Sequence, residues 1–124
     1  MAATDAPLTV SRLLLLEFRQ SVRFQVRRNR LDKTKGFPMS QGDRMLRAIQ
    51  SDVAVGALAP RSADWPVVYE IAERLSATHT ATGGHRLADI LHVATALYFG
   101  ATEFLTFDAN QKVLAEAEGM RVTL

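Results

Sequence analysis

Apolar and polar positions alternate along the chain in a way that marks short strands between longer helices. Pro7-Leu8-Thr9-Val10 reads as a strand leading into a helix from about Ser11 to Arg30. On that helix Arg12, Arg19, Arg23 and Arg27 fall in one sector, while Leu14, Phe18 and Val22 cover other sides. Gly36-Phe37-Pro38 breaks the pattern, and Ser40 with Asp43 has the form of a second helix start, ahead of an apolar stripe of Met45, Leu46, Ile49 and Val53. Ala57-Leu58-Ala59 predicts a second strand. Asp64 is placed to cap a third helix, with Pro66 in its first turn and Val68, Ile71, Ala72 and Leu75 facing inward.

Thr80 to Gly84 is polar and glycine-bearing, which predicts a loop. After it, Leu87, Ile90, Leu91, Ala94, Leu97 and Tyr98 recur at helical spacing, and beyond Asp89 the other side, Val93, Ala96 and Gly100, is small rather than charged. A helix apolar nearly all round belongs in an interior. Glu103 to Phe107 predicts a strand, Ala109 to Glu118 a short helix stopped by Gly119, and Met120 to Leu124 a last strand. Strands alternating with helices argue for an α/β layer with a mainly parallel sheet.

The chain has 124 residues, a length that suits a single domain spanning 1–124, with residues 1–6 outside its ordered part. Its lack of cysteine excludes a disulfide framework, a thiolate zinc site and a cysteine nucleophile, and is compatible with a reducing, cytoplasmic setting. No apolar run is long enough to span a membrane, and the first five residues lack the features of a signal peptide. The net charge is only +2, yet six arginines between Arg12 and Arg30 crowd the first quarter, as either a solvated helix face or a surface for a polyanion.

Three carboxylates occupy informative positions. Glu17 lies on the helical line of Leu13 and Phe24, Asp89 heads the apolar helix, and Asp108 follows the Glu103–Phe107 strand. In a parallel sheet, the carboxyl ends of strands and the amino ends of helices meet along one edge, where sites are usually built. Clustered carboxylates repel one another unless a cation neutralises them, so such a cluster suits a hard divalent ion and metal-assisted phosphodiester hydrolysis. Each acid also has a simpler reading. Asp108-Ala109-Asn110-Gln111 has the form of a capping box, Asp89 is spaced to pair with Arg86 at a helix start, and Glu17 suits a helix surface. His79, His85 and His92 are not spaced as a zinc set, and no phosphate-binding glycine loop is present.

Taken together, LTVSRLLLLEFRQSV and THTATGGHRLADILHVATALYFGATEFLTFDANQKVLAEAEGMRV resemble PIN domains, especially VapC-type toxins of bacterial toxin-antitoxin pairs, from about residue 7 to the end. The joint pattern E…RLADILHVA…FLTFD carries this resemblance more specifically than any one motif. It implies a three-layer α/β/α sandwich and a Mg2+- or Mn2+-dependent ribonuclease. By that resemblance Glu17, Asp89 and Asp108 are the catalytic, metal-binding acids, with Thr106 and Arg86 as polar supports beside them. Arg12, Arg19, Arg23 and Arg27 are then the contacts to RNA. The partners implied are RNA, an antitoxin protein and a second copy in a homodimer, with no membrane.

The pattern departs from the family at its start, where a first strand ending in aspartate is expected. Asp5 precedes the Pro7–Val10 strand and is misplaced to substitute for it. The domain is therefore read as N-terminally truncated, with impaired activity, and the alternative is a PIN-like module that binds RNA or an antitoxin-type protein without cleaving.

Overall fold

A computed structural model describes residues 8–106 and 108–122. Pro7, Phe107, Thr123 and Leu124, which the sequence assigns to strands, and residues 1–6 lie outside the described residues. The chain divides into two compact units, Met1–Ser62 and Ala63–Leu124. Both are α/β, mostly helical, and each contains one parallel pair of strands.

In the first unit, β1 (Leu8–Ser11) leads into α1 (Arg12–Leu31), followed by α2 (Met39–Ala54) and β2 (Leu58–Arg61). The strands pair in parallel from Leu8 opposite Leu58 to Ser11 opposite Arg61. Ser11 ends the strand and starts the helix, because its hydroxyl accepts the Leu14 backbone N–H at 3.0 Å. Leu15 and Val22 are the buried residues of α1. The second helix meets the first at Gly42, where an added Cβ would stand 2.5 Å from Val26 Cγ2.

The start of α2 differs from the expected one. Pro38 occupies the N-cap, and its carbonyl accepts the N–H groups of Gln41 and Gly42, so Ser40 and Asp43 lie inside the helix rather than before it. Proline's fixed φ already sets the entry to the turn, and no side-chain acceptor is needed to start it. The apolar stripe is in place, with Met45, Leu46, Ile49 and Val53 half-buried.

The second unit contains α3 (Trp65–Gly83), α4 (Leu87–Tyr98), β3 (Glu103–Phe104), α5 (Ala109–Ala117) and β4 (Arg121–Val122). Val68 and Leu75 of α3, Val93 of α4 and Leu114 of α5 are fully buried, and Ala72, Ile90, Ala94, Ala115 and Met120 complete their cluster. Full burial of one such valine or leucine side chain is worth roughly 1.5–3 kcal/mol, which makes this cluster the main source of the unit's cohesion.

Two expectations change here. The expected loop at Thr80–Gly84 is helical as far as Gly83, and the turn comes at Gly84. Gly84 adopts the left-handed conformation, φ 65°, and its N–H closes on the Thr80 carbonyl at 2.8 Å. Among the described residues, the strand expected over Glu103–Phe107 pairs at Glu103 and Phe104, opposite Arg121 and Val122. Asp64 does sit at the N-cap of α3 with proline in the first turn, but its side chain makes no capping hydrogen bond.

A polar cluster closes the far end of α5. Glu118 accepts from Arg74 Nη2 at 2.8 Å and contacts His79 Nε2 at 2.6 Å. The Arg74 hydrogen bond, aided by His79, holds the Glu118 carboxyl below the ordinary glutamate value, although partial burial opposes the shift. A carboxyl whose folded pKa is depressed stabilises the fold fully above its unfolded value, about pH 4.3, and loses that contribution as pH falls through the lower folded value. Glu118→Gln is therefore expected to lower the thermal midpoint at pH 7 and to flatten its decline with acid below about pH 4.3. Parallel melts of both proteins from pH 7 to pH 3 check this.

Candidate functional site

The second unit brings two of the three sequence-predicted acids onto one residue. Asp89 is in the first turn of α4 and is buried, 7% exposed. Its Oδ2 accepts the backbone N–H of Arg86 at 3.2 Å, and its Oδ1 accepts the side-chain amide Nε2 of Gln111 at 3.2 Å. A carboxylate at a helix amino terminus also faces the positive end of the helix dipole. Burial, two donors and that dipole explain how a charged group is tolerated at the mouth of an apolar helix.

Asp108 is the exposed N-cap of α5, and its Oδ1 accepts the backbone N–H groups of Asn110 at 2.8 Å and Gln111 at 3.1 Å. The Asp108 cap expected from the sequence is present, but the reciprocal half of the capping box is not. Asp108's own N–H donates to the Thr106 hydroxyl at 3.0 Å instead of to Gln111. With that N–H already satisfied, the Gln111 side chain turns to Asp89 and accepts the Thr106 hydroxyl on its Oε1 at 3.0 Å.

Arg86 supports Asp89 through its main chain. An ion pair through its guanidinium is the expectation to correct: the side chain is exposed, and the contact made is the N–H of the N-cap residue to the N3 carboxylate. A guanidinium has no acceptor, so the capping exchange at this helix runs in one direction only. Thr106 is half-buried beside the pair, with its hydroxyl on Gln111.

The sequence pattern does not mark Gln111 as a site residue. Its signal in the sequence was the capping-box form, which assigned its side chain to the nearest orphan N–H. Nothing local indicates that a carboxylate 22 positions away would take it.

In the first unit, Glu17 is half-buried on α1. The arginine sector lies on a different side of that helix, with Arg23 and Arg27 exposed and Arg19 half-buried. Arg12 reaches the Ser62 hydroxyl at 3.4 Å. Among the described residues, no three histidine, cysteine, aspartate or glutamate side chains gather so as to hold a metal ion. Nor is any described helix long and apolar enough to cross a membrane.

No family model matches the chain, and neither does any curated protein or solved structure.

The donor set of Asp89 and Asp108 fits a small hard cation on chemical grounds. Each carboxylate oxygen has two lone pairs, so both oxygens of Asp89 keep one beyond the bonds described, and Asp108 Oδ2 keeps two. Magnesium is commonly bound by one or two carboxylates, with waters and substrate phosphate oxygens filling its octahedron.

Proposed function

We propose that the protein is a PIN-type, VapC-like ribonuclease that hydrolyses RNA phosphodiester bonds with Mg2+ or Mn2+. The observation that carries this reading is the pairing of Asp89 and Asp108 through Gln111. These are the two acids that the RLADILHVA…FLTFD resemblance assigns to metal. The α/β class and parallel strand pairs agree with the coarser part of the expected architecture, and the three-layer sandwich is its proposed completion.

In this mechanism Asp89 and Asp108 would hold the ion, which would supply polarisation of the phosphate and a lowered pKa for its bound water. Arg86 and Gln111 orient Asp89 by donating to its two oxygens, and the amino end of α5 orients Asp108. The arginine face of α1 attracts the RNA backbone. Glu17 remains the acid that the resemblance adds. A second copy, an antitoxin-type protein and a cytoplasmic setting belong to the same proposal.

Purified protein incubated with RNA and Mn2+ is expected to cleave it, and cleavage is expected to stop with EDTA or in Asp89→Asn. A second reading, a binding module without cleavage, draws on the lack of a three-acid group among the described residues. RNA bound but left intact in Mn2+ would select it.

Replacing Arg19, Arg23 and Arg27 together by glutamine is expected to weaken RNA binding at low salt. It should also flatten the slope of log affinity against log salt by about 2, since each single-strand phosphate contact contributes roughly 0.7. An unchanged slope in a filter-binding series would remove that helix face from the RNA surface.

A further inference from the structure

Four hydrogen bonds around Gln111 have only one consistent polarity. Asp89 Oδ1 belongs to a carboxylate and accepts only, so Gln111 must present its amide NH2 to it at 3.2 Å. Its other amide atom, Oε1, then faces the Thr106 hydroxyl, which must donate its single proton at 3.0 Å. The Thr106 oxygen is thereby left to accept, and it accepts the Asp108 backbone N–H at 3.0 Å. Finally, Gln111's own backbone N–H returns to Asp108 Oδ1 at 3.1 Å. Reversing any one side-chain link would set donor against donor or acceptor against acceptor.

From this geometry we infer that Gln111 is a positioning residue: it ties the Asp89 carboxylate to the Asp108 cap, and Thr106 sets the amide orientation that makes the tie possible. The role of the pair as a metal site rests on the ribonuclease reading above, whereas the tie itself does not. Gln111 touches neither ion nor substrate in this scheme. It acts by fixing which Asp89 lone pairs stay open and by holding two carboxylates on neighbouring helices against their mutual repulsion. Residues that orient metal ligands in this way typically matter by about 10- to 100-fold in affinity.

The test uses the full chain labelled with 15N, together with Thr106→Val, Thr106→Ser and Gln111→Met. The Gln111 side-chain NH2 resonances, assigned by their loss in Gln111→Met, are expected to shift in Thr106→Val and to return in Thr106→Ser, which restores the hydroxyl. The Mn2+ dissociation constant, read from the EPR signal of free Mn2+, should rise about tenfold in Thr106→Val and in Gln111→Met. The double variant should be no worse than either single, because both remove the same tie.

NH2 resonances indifferent to Thr106→Val in a folded protein would overturn the inference, and so would additive losses in the double variant. If the unsubstituted protein takes up no Mn2+, the metal reading of the pair fails. The NH2 response to Thr106→Val and Thr106→Ser still decides the positioning role on its own.

Discussion

Asp89→Asn is expected to slow Mn2+-dependent RNA cleavage by at least about 100-fold while leaving the protein folded. The substitution preserves shape but removes the charge that would hold a divalent ion. Its structural cost is limited, because the carbonyl of the introduced amide can still accept the Arg86 N–H. The new NH2 group would meet the Gln111 amide donor to donor, and a flip of Gln111 relieves this. After the flip Gln111 Oε1 accepts from that NH2 group, and Gln111 Nε2 donates to the Thr106 oxygen, which already accepts the Asp108 N–H. One orphaned hydroxyl proton results, worth about 1 kcal/mol and a few degrees of melting temperature. Single-turnover cleavage alongside a thermal melt separates the two effects. Cleavage within a fewfold of the unsubstituted protein would remove Asp89 from the mechanism.

Gly36→Ala is expected to cost the first unit about 3 kcal/mol or more, a large part of the stability of an ordinary domain. The loop after α1 is drawn onto that helix by Asn29 Nδ2, which donates to the Lys35 carbonyl at 3.0 Å, and by the Phe37 N–H on the Gln25 carbonyl at 3.4 Å. Gly36 passes so close that a Cβ would lie 2.1 Å from the Gln25 carbonyl oxygen and 3.1 Å from the Asn29 nitrogen. Both are backbone atoms of a helix, so neither can swing aside. The residue is also left-handed, φ 60°, which costs about 1 kcal/mol for alanine before any collision.

Gly84→Ala separates the two contributions. Gly84 has φ 65° with nothing within 4 Å of an added Cβ, so its substitution should cost only about 1 kcal/mol. Equal losses at both positions in urea denaturation would show that the close approach at Gly36 has no energetic weight.

Much of the architecture could be read from local pattern. The apolar period of Ile90, Val93 and Ala94 marked a helix that is indeed buried, and the Gly119 stop falls where the sequence put it. The parallel pairing of strands joined through helices follows from chain connectivity. Asp89 and Asp108 were recognisable because a carboxylate at the start of an apolar helix or just after a strand sits where helix dipoles and free N–H groups converge.

What local pattern missed depends on competition between partners. A capping box is a contest for one N–H, and Thr106, two residues before Asp108, takes it before the Gln111 side chain can. Thr80–Thr82 read as a loop because their polar side chains suit one, but the helix continues until Gly84 allows the backbone to leave it.

The amino-acid order alone thus settled where the main helices run and that Asp89 and Asp108 stand at helix starts, because spacing of side chains along one element determines both. It could not settle where Gln111 would direct its amide, since that depends on how close α4 and α5 come once Ile90, Val93 and Leu114 are packed together. Hydrogen bonds between distant residues follow from packing distance, and only the assembled core sets that distance.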